Sequence, residues 1–276
     1  MTSPISYYGG KKAIISHYLD MVPVHDTYTE AFAGGCELYW QKDAVKHEVI
    51  NDLNDNVVNF YKVLKLKYKP LKRAIDATLY SRSLHHKAYQ ILINPKDSSD
   101  IQRAWAFWVR ANFSFANKLD GGLRHSNDMG SMPPMTMMNK KADFTEMMAS
   151  RLERTYIENT EGLKILKSRN VATAFHEIDT PYFHGPKTIP ADQGHYKKLF
   201  TTAQFEEVLT WCAEDCKGKF MIHNYNSALL DQFVKVHGWH KKEITHRIKA
   251  PRKTGTDKIE VIVWNYSNTC GTLKLF

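Results

Sequence analysis

The chain has 276 residues, 43% hydrophobic and 24% charged, with a formal net charge of +9; that length allows one large α/β domain or a domain carrying an insertion. Its four cysteines, Cys36, Cys212, Cys216 and Cys270, have neither zinc-ligand spacing nor the density of a disulfide scaffold, which predicts a reducing, cytoplasmic setting and no metal. The amino terminus has no basic leader with an apolar core, and no apolar stretch approaches the roughly 20 residues of a membrane span, which predicts a soluble intracellular protein.

In chain order, the first informative element is Tyr7, Tyr8, Gly9, Gly10, Lys11 and Lys12, a glycine-bearing turn with aromatic and cationic members. A β-type run over residues 27–31 then leads into Glu30, Ala31, Phe32, Ala33, Gly34 and Gly35, a strand closing in a glycine turn, and a helix-like segment follows at 38–41. A second β-type run, 47–50, ends just before Asp52. Glycines after one strand let a ligand approach the backbone, and an acid after the next accepts hydrogen bonds from ribose hydroxyls, as in α/β sheets that bind adenosine-containing ligands. The phosphate fingerprint is incomplete, which suits a ligand without a pyrophosphate.

Residues 62–150 break this rhythm, reading as helices and loops. They hold 15 Lys and Arg against 7 Asp and Glu, a net of +8, which leaves +1 for the rest of the chain. Positive charge concentrated in one segment is the electrostatic footprint of a polyanion partner. Within this segment Ile101, Ala104, Trp105, Trp108 and Asn112 share one face of a predicted helix that ends in the aromatic stretch 113–115; core packing is the expected role of most of these rings. Residues 117–141 contain Gly121, Gly122, Pro133, Pro134 and five methionines between Met129 and Met138, and are expected to form a long irregular loop.

β-type runs return at 171–178, 219–223 and 260–265, and their alternation with helical patterns predicts a mostly parallel sheet covered by helices. One helix is expected to begin at Thr201 or Thr202 with Phe205, Val208, Leu209 and Cys212 on one face, which Cys216 is expected to share. A second basic cluster, 235–258, has eight Lys and Arg against two acids.

Directly after the 171–178 run stand Asp179, Thr180, Pro181 and Tyr182. The exocyclic amine of adenine or cytosine is a poor nucleophile because its lone pair is delocalised into the ring. An enzyme that methylates it must hold the nitrogen by its hydrogens, and the Asp179 carboxylate and the carbonyl of residue 180 can accept them. Tyr182 can stack on a base pulled out of the duplex. An ordinary turn, with Pro fixing φ and Tyr packing, fits the same four residues.

The order of these elements resembles that of the Dam-type DNA adenine N6 methyltransferases, over essentially the whole chain. Residues 7–11 match the family's Trp-Ala-Gly-Gly-Lys element, 30–36 its Glu-Pro-Phe-x-Gly-x-Gly turn, 51–54 its Asn-Asp-x-Asn, and 179–182 its Asp-Pro-Pro-Tyr. The resemblance implies a Rossmann-like methyltransferase sheet built from residues 1–61 and 150–276, with an inserted, mostly helical DNA-recognition subdomain over 62–149. It implies S-adenosyl-L-methionine as methyl donor, bound by Tyr7, Lys11, Glu30, Phe32, Ala33, Gly34 and Gly35, with Asp52 on its ribose and Asp179 facing both donor and target amine. It also implies catalysis by Asp179, Thr180, Pro181 and Tyr182 on an adenine flipped out of double-stranded DNA. The DNA-reading segment falls on residues 110–124, with Arg110, Asn117, Lys118 and Arg124 as candidate base or phosphate contacts, and a cognate restriction endonuclease is a candidate partner.

Three residues depart from the family's wording: Ala31 stands for a proline, Cys36 for the last glycine of the turn, and Thr180 for the first proline of the catalytic motif. Threonine still supplies the backbone carbonyl but lacks proline's fixed φ, and an active enzyme is expected. Residues 194–200 are a candidate segment for closing over the flipped base. Two other readings stay open: N4 methylation of cytosine, which uses the same amine chemistry, and a noncatalytic DNA-binding module that keeps the fold.

Overall fold

A computed structural model describes residues 1–126, 132–181, 200–247 and 257–267. The chain begins with β1 (Thr27–Glu30), α1 (Glu37–Gln41) and β2 (His47–Asn51). Helices α2 (Asp55–Leu66), α3 (Tyr68–Asp76), α4 (Arg82–Ile93), α5 (Asp100–Phe113), α6 (Pro133–Asp143) and α7 (Glu146–Leu152) follow. The chain then returns to the sheet through β3 (Thr155–Glu158), α8 (Gly162–Ser168), β4 (Ala174–Asp179), α9 (Thr202–Glu214), β5 (Lys219–Tyr225), α10 (Ala228–His237), β6 (His240–Arg247) and β7 (Asp257–Trp264).

The strand order is β3-β2-β1-β4-β5-β7-β6. The first five strands run parallel, and β7 lies antiparallel between β5 and β6. The order reverses at β1, which pairs β2 on one side and β4 on the other; α/β sheets bind ligands at the carboxyl ends of the strands at such a switch point.

The two faces of the sheet bury different sets of side chains because successive strand residues point to opposite sides. On one face Tyr28, Phe175, Met221 and Ile262 join a core with Phe60, Tyr61, Phe107 and Trp108 of α2 and α5. On the other, Ile178, Phe220, Ile222, Val261 and Val263 pack against Leu166, Phe205, Leu209 and Leu230 of α8, α9 and α10. The helices between β2 and β3 belong to the first of these cores, from Leu71 and Ile75 through Ala88 to Met148.

Local signals account for the helix starts. The Thr201 side chain accepts from the Gln204 N–H while the Gln204 side chain accepts from the Thr201 N–H, and Ser99 and Gln102 do the same for α5.

The sheet has two strands that the apolar runs do not announce. β3 is four residues with Tyr156 exposed, and β6, His-Lys-Lys-Glu-Ile-Thr-His-Arg, is a charged edge strand that takes its place through pairing with β7. The expected loop at 117–141 is helical from Pro133 onward, because proline has no N–H to lose in the first turn and its φ already suits a helix. β4 starts at Ala174, since residues 171–174 form a turn closed by the Ala174 N–H on the Val171 carbonyl at 3.0 Å. Cys216 lies beyond the end of α9, half-buried against the core that contains Cys212, and Cys270 lies outside the described residues.

Candidate active site

The alternation that splits the core also gathers the acids. Glu30 of β1, Glu177 and Asp179 of β4 and His223 of β5 share the face of Tyr28, Phe175 and Met221, and the ladder sets Glu30 beside Glu177 and Asp179 beside His223. Above them lies a narrow cleft whose lining includes Lys11, Glu30, Phe32, Gly35, Glu177 and Asp179. Lys11 reaches in from the amino-terminal turn, 4% exposed, and its Nζ donates to Asp179 Oδ1 at 2.6 Å and Oδ2 at 2.7 Å. Asp179 keeps 28% of its side chain exposed.

The electrostatics follow from burial. Burial pushes the Asp179 carboxyl upward and the Lys11 ammonium opposes that push. Glu30 and Glu177 are both driven well above the carboxylate range, chiefly by burial, with Glu177 adding to the shift of Glu30. Glu30 Oε1 is fixed by the Tyr28 hydroxyl at 2.5 Å and the Tyr39 N–H at 2.8 Å. Glu177 Oε1 lies 3.1 Å from His223 Nε2, and burial followed by Lys11 holds His223 down at about 3, so the imidazole is neutral at pH 7.

The glycine turn is built by backbone geometry. Gly34 has φ +47°, and a Cβ there would meet the Tyr7 ring at 2.9 Å; the absent side chain lets Tyr7 lie against the turn. The Gly34 N–H donates to Asp52 Oδ2 at 2.9 Å, the Asn54 N–H to Asp52 Oδ1 at 2.8 Å, and the Tyr61 hydroxyl to the Gly34 carbonyl at 3.0 Å. Burial raises Asp52 against these two N–H donors, and each carboxylate oxygen retains a further lone pair for a hydroxyl. Phe32 packs edge-on against Phe200, with ring centres 5.6 Å apart, and Ala33 is buried and also lines the cleft.

Cys36 adopts the left-handed conformation, φ 51°, at the N-cap of α1. A left-handed conformation is therefore adopted here without a glycine, at a backbone penalty of about 1–2 kcal/mol. Its thiol is 2% exposed and pushed well up by burial, which leaves it unreactive.

Thr180 is 2% exposed, and its Oγ1 accepts a hydrogen bond from Asn224 Nδ2 at 3.0 Å. Pro181 is half-buried next to it, whereas Tyr182 and residues 194–199 lie outside the described residues.

The four candidate DNA contacts separate. Arg110 is buried, 3% exposed, with Nε donating to the Leu119 carbonyl at 2.7 Å and Nη2 to the Gly121 carbonyl at 2.7 Å. Its Nη1 lies 2.9 Å from Nδ1 of His85, an imidazole that burial holds down at about 4. A single face of α5 thus spends its guanidinium on the loop that follows.

That loop is closed by the Phe115 N–H on the Gly122 carbonyl at 2.7 Å and the Arg124 N–H on the Phe113 carbonyl at 2.8 Å. Ala116 and Asn117 take positive φ at its tip. Asn117 Oδ1 accepts from Arg124 Nη2 at 2.6 Å, and Lys118 Nζ sits 5.2 Å from the centre of the Tyr8 ring. Asn117, Lys118 and Arg124 are all half-buried.

Sequence reasoning passed over Glu177, His223 and Asn224. The period of two counted back from Asp179 places Glu177 on its face, but His223 and Asn224 join only through the β4–β5 register.

A seven-stranded, mostly parallel sheet with its cleft at the switch between β1 and β4 is a Rossmann-like methyltransferase fold. The chain belongs to the D12 class N6 adenine-specific DNA methyltransferases, whose family model matches residues 7–248. It is also similar to the type II methyltransferase M1.LlaDCHI of Lactococcus lactis subsp. cremoris, 25% identical over 280 residues that cover 94% of each chain. Its substrate is accordingly DNA, and its reaction draws on a methyl donor. Among the described residues no helix is long and apolar enough to cross a membrane, and no group of three or more His, Cys, Asp or Glu is arranged to hold a metal ion.

Proposed function

We propose that the protein is a site-specific, Dam-type enzyme that transfers a methyl group from S-adenosyl-L-methionine to the N6 amine of an adenine flipped out of double-stranded DNA. The observation that carries this reading is Asp179 at the end of β4, partly exposed in the cleft and held by Lys11, beside a glycine turn whose backbone binds Asp52.

The donor set fits the methyl donor. Asp52 retains acceptor capacity for ribose hydroxyls, and Phe32 offers an apolar surface and Gly35 bare backbone at the cleft wall. Glu30, Glu177 and Asp179 line the cleft beside Lys11 and offer oxygen atoms to hydrogen-bond a ligand there. When bound, S-adenosyl-L-methionine supplies an electrophilic methyl group on a sulfonium.

The chain's own residues then do the positioning. Asp179 accepts one hydrogen of the adenine amine and the carbonyl of residue 180 the other, which holds the nitrogen while its lone pair turns toward the methyl group. The Lys11 ammonium opposes the upward push of burial on Asp179 and so favours its carboxylate form; a protonated carboxyl would donate where an acceptor is needed. Tyr182 stacks on the flipped base. Residues 62–149 supply the DNA-recognition subdomain, with Asn117, Lys118 and Arg124 at the DNA, and residues 1–61 and 150–276 the catalytic domain. The setting of this reading is the cytoplasm, with a cognate endonuclease as partner, in keeping with the type II relative.

The test is direct. Purified protein, saturating methyl donor and mixed-sequence plasmid DNA are incubated, and the DNA is digested to nucleosides for mass analysis. N6-methyladenosine in its deoxy form is the expected product; N4-methyldeoxycytidine, or no methylated nucleoside, overturns the proposal.

A further inference from the structure

We infer that Asn224 is a positioning residue that holds the catalytic turn through the Thr180 hydroxyl, replacing by a cross-strand hydrogen bond the rigidity that a proline would give. This rests on the reading of residues 179–182 as the catalytic segment.

Four observations carry it. The last rung of the β4–β5 ladder pairs Asp179 with His223, so residues 180 and 224 are the next neighbours across the two strands. Thr180 Oγ1 accepts from Asn224 Nδ2 at 3.0 Å, and Asn224 Oδ1 in turn accepts from the Tyr225 N–H at 2.7 Å. The asparagine is therefore itself anchored, through its other end, to the backbone of β5. Both side chains are almost fully buried, Thr180 at 2% and Asn224 at 1%, and neither lines the cleft. The hydroxyl thus serves the turn and not the substrate.

The chemistry needs this turn to be still. The carbonyl of residue 180 is one of the two acceptors for the amine hydrogens, and its direction depends on the backbone angles of Thr180. Proline at that position would fix φ and narrow the ensemble, an effect of roughly 2- to 5-fold in favourable cases. A net buried hydrogen bond is worth a factor of roughly 2 to 13. The pair therefore matches the missing ring in size, and it acts on the same residue.

The experiment is a double-mutant cycle in the full-length protein, read as kcat and KM for DNA methylation and as Tm. Asn224→Ala is expected to lower kcat about 10-fold, with KM for DNA and for the methyl donor within about 2-fold, because misaimed groups lose rate before they lose binding. In the Thr180→Pro background the same substitution is expected to lower kcat less than about 2-fold, since the ring needs no anchor. Thr180→Val, of similar shape but with no acceptor, should fall as far as Asn224→Ala, and Thr180→Ser, which keeps the acceptor, should lose clearly less kcat than Thr180→Val.

Equal losses from Asn224→Ala in both backgrounds, or wild-type kcat in Thr180→Val, overturn the inference. The serine and valine variants decide the matter if Thr180→Pro does not fold. A wild-type protein that methylates no DNA overturns the catalytic reading itself, and the positioning role with it. Active wild type with additive losses overturns the positioning role alone.

Discussion

The carboxyl ends of β1 and β4 and the loop after α5 treat their charged residues in opposite ways. At the sheet, alternation and register turn Glu30, Glu177 and Asp179 onto one face, and Asp179 remains partly open to the cleft. In the helices between β2 and β3, several cations that count toward the +8 are already partnered within the protein. Arg110 is buried on two carbonyls of its own loop, Arg103 is paired with Asp55 at 2.5 Å, and Lys67 with Asp100 at 2.5 Å. A strand end displays what its period dictates, whereas a helix can bury a guanidinium wherever neighbouring carbonyls satisfy its fixed fork of donors. Net charge by itself does not say which cations of a segment are left for a partner.

The sharpest way to break this contrast is at Asp179. Asp179→Ala is expected to reduce methyl transfer by at least about 10²- to 10³-fold, while the affinity for nonspecific DNA stays within about 3-fold, since phosphate contacts supply that affinity. Titration of labelled duplex alongside a turnover assay checks both; a variant with a tenth or more of wild-type turnover would remove the sheet end from the chemistry.

A smaller effect separates two arginines of the insertion. Arg110→Ala leaves the Leu119 and Gly121 carbonyls without their donors and is expected to lower unfolding free energy by about 1–3 kcal/mol in a denaturant titration. Arg124→Ala should leave stability nearly unchanged and weaken DNA binding, by roughly 5- to 100-fold if it reads a base. The reverse result, a stable Arg110→Ala with weakened DNA binding, would show that the buried guanidinium swings out to the duplex.

The smallest expected effect is a pH dependence written into the acid cluster. Glu177 ionises near 4.5 in the unfolded chain and at about 8 in the fold. The folded protein holds the extra proton between those values, and stability falls as pH rises through them. His223 works the other way: its pKa drops from 6.5 to about 3 on folding, so its contribution is complete above 6.5. Between pH 6.5 and 8 the carboxyls act without the histidine, and Tm should decline. Glu177→Gln should flatten that decline, and a slope equal to that of the wild type would mean that Glu177 is already ionised in the fold.

Much of the site could be read in one dimension because its parts are local. Gly34 and Gly35 close β1, Asp52 follows β2, and Asp179 ends β4, each placed by an apolar run that also sets its strand. The cap at Thr201 lies within four residues of the partner that completes it. β3 and β6 show no apolar run because an edge strand is held by the hydrogen bonds of its neighbour, with little apolar content of its own. The helix at Pro133 was hidden by a residue that breaks helices everywhere except in their first turn.

By itself, then, the amino-acid order determined the mostly parallel α/β sheet, the places where its strands end, and the type of residue standing at each end. The tertiary structure alone decided that Lys11 closes on Asp179 across 168 positions of chain, that Glu177 stands beside Glu30 and in contact with His223, that Arg110 faces inward, and that Thr180 is held by Asn224. The reason is physical: strand period and helix caps act over a few residues, whereas burial, ion pairing and cross-strand register exist only once distant segments have met.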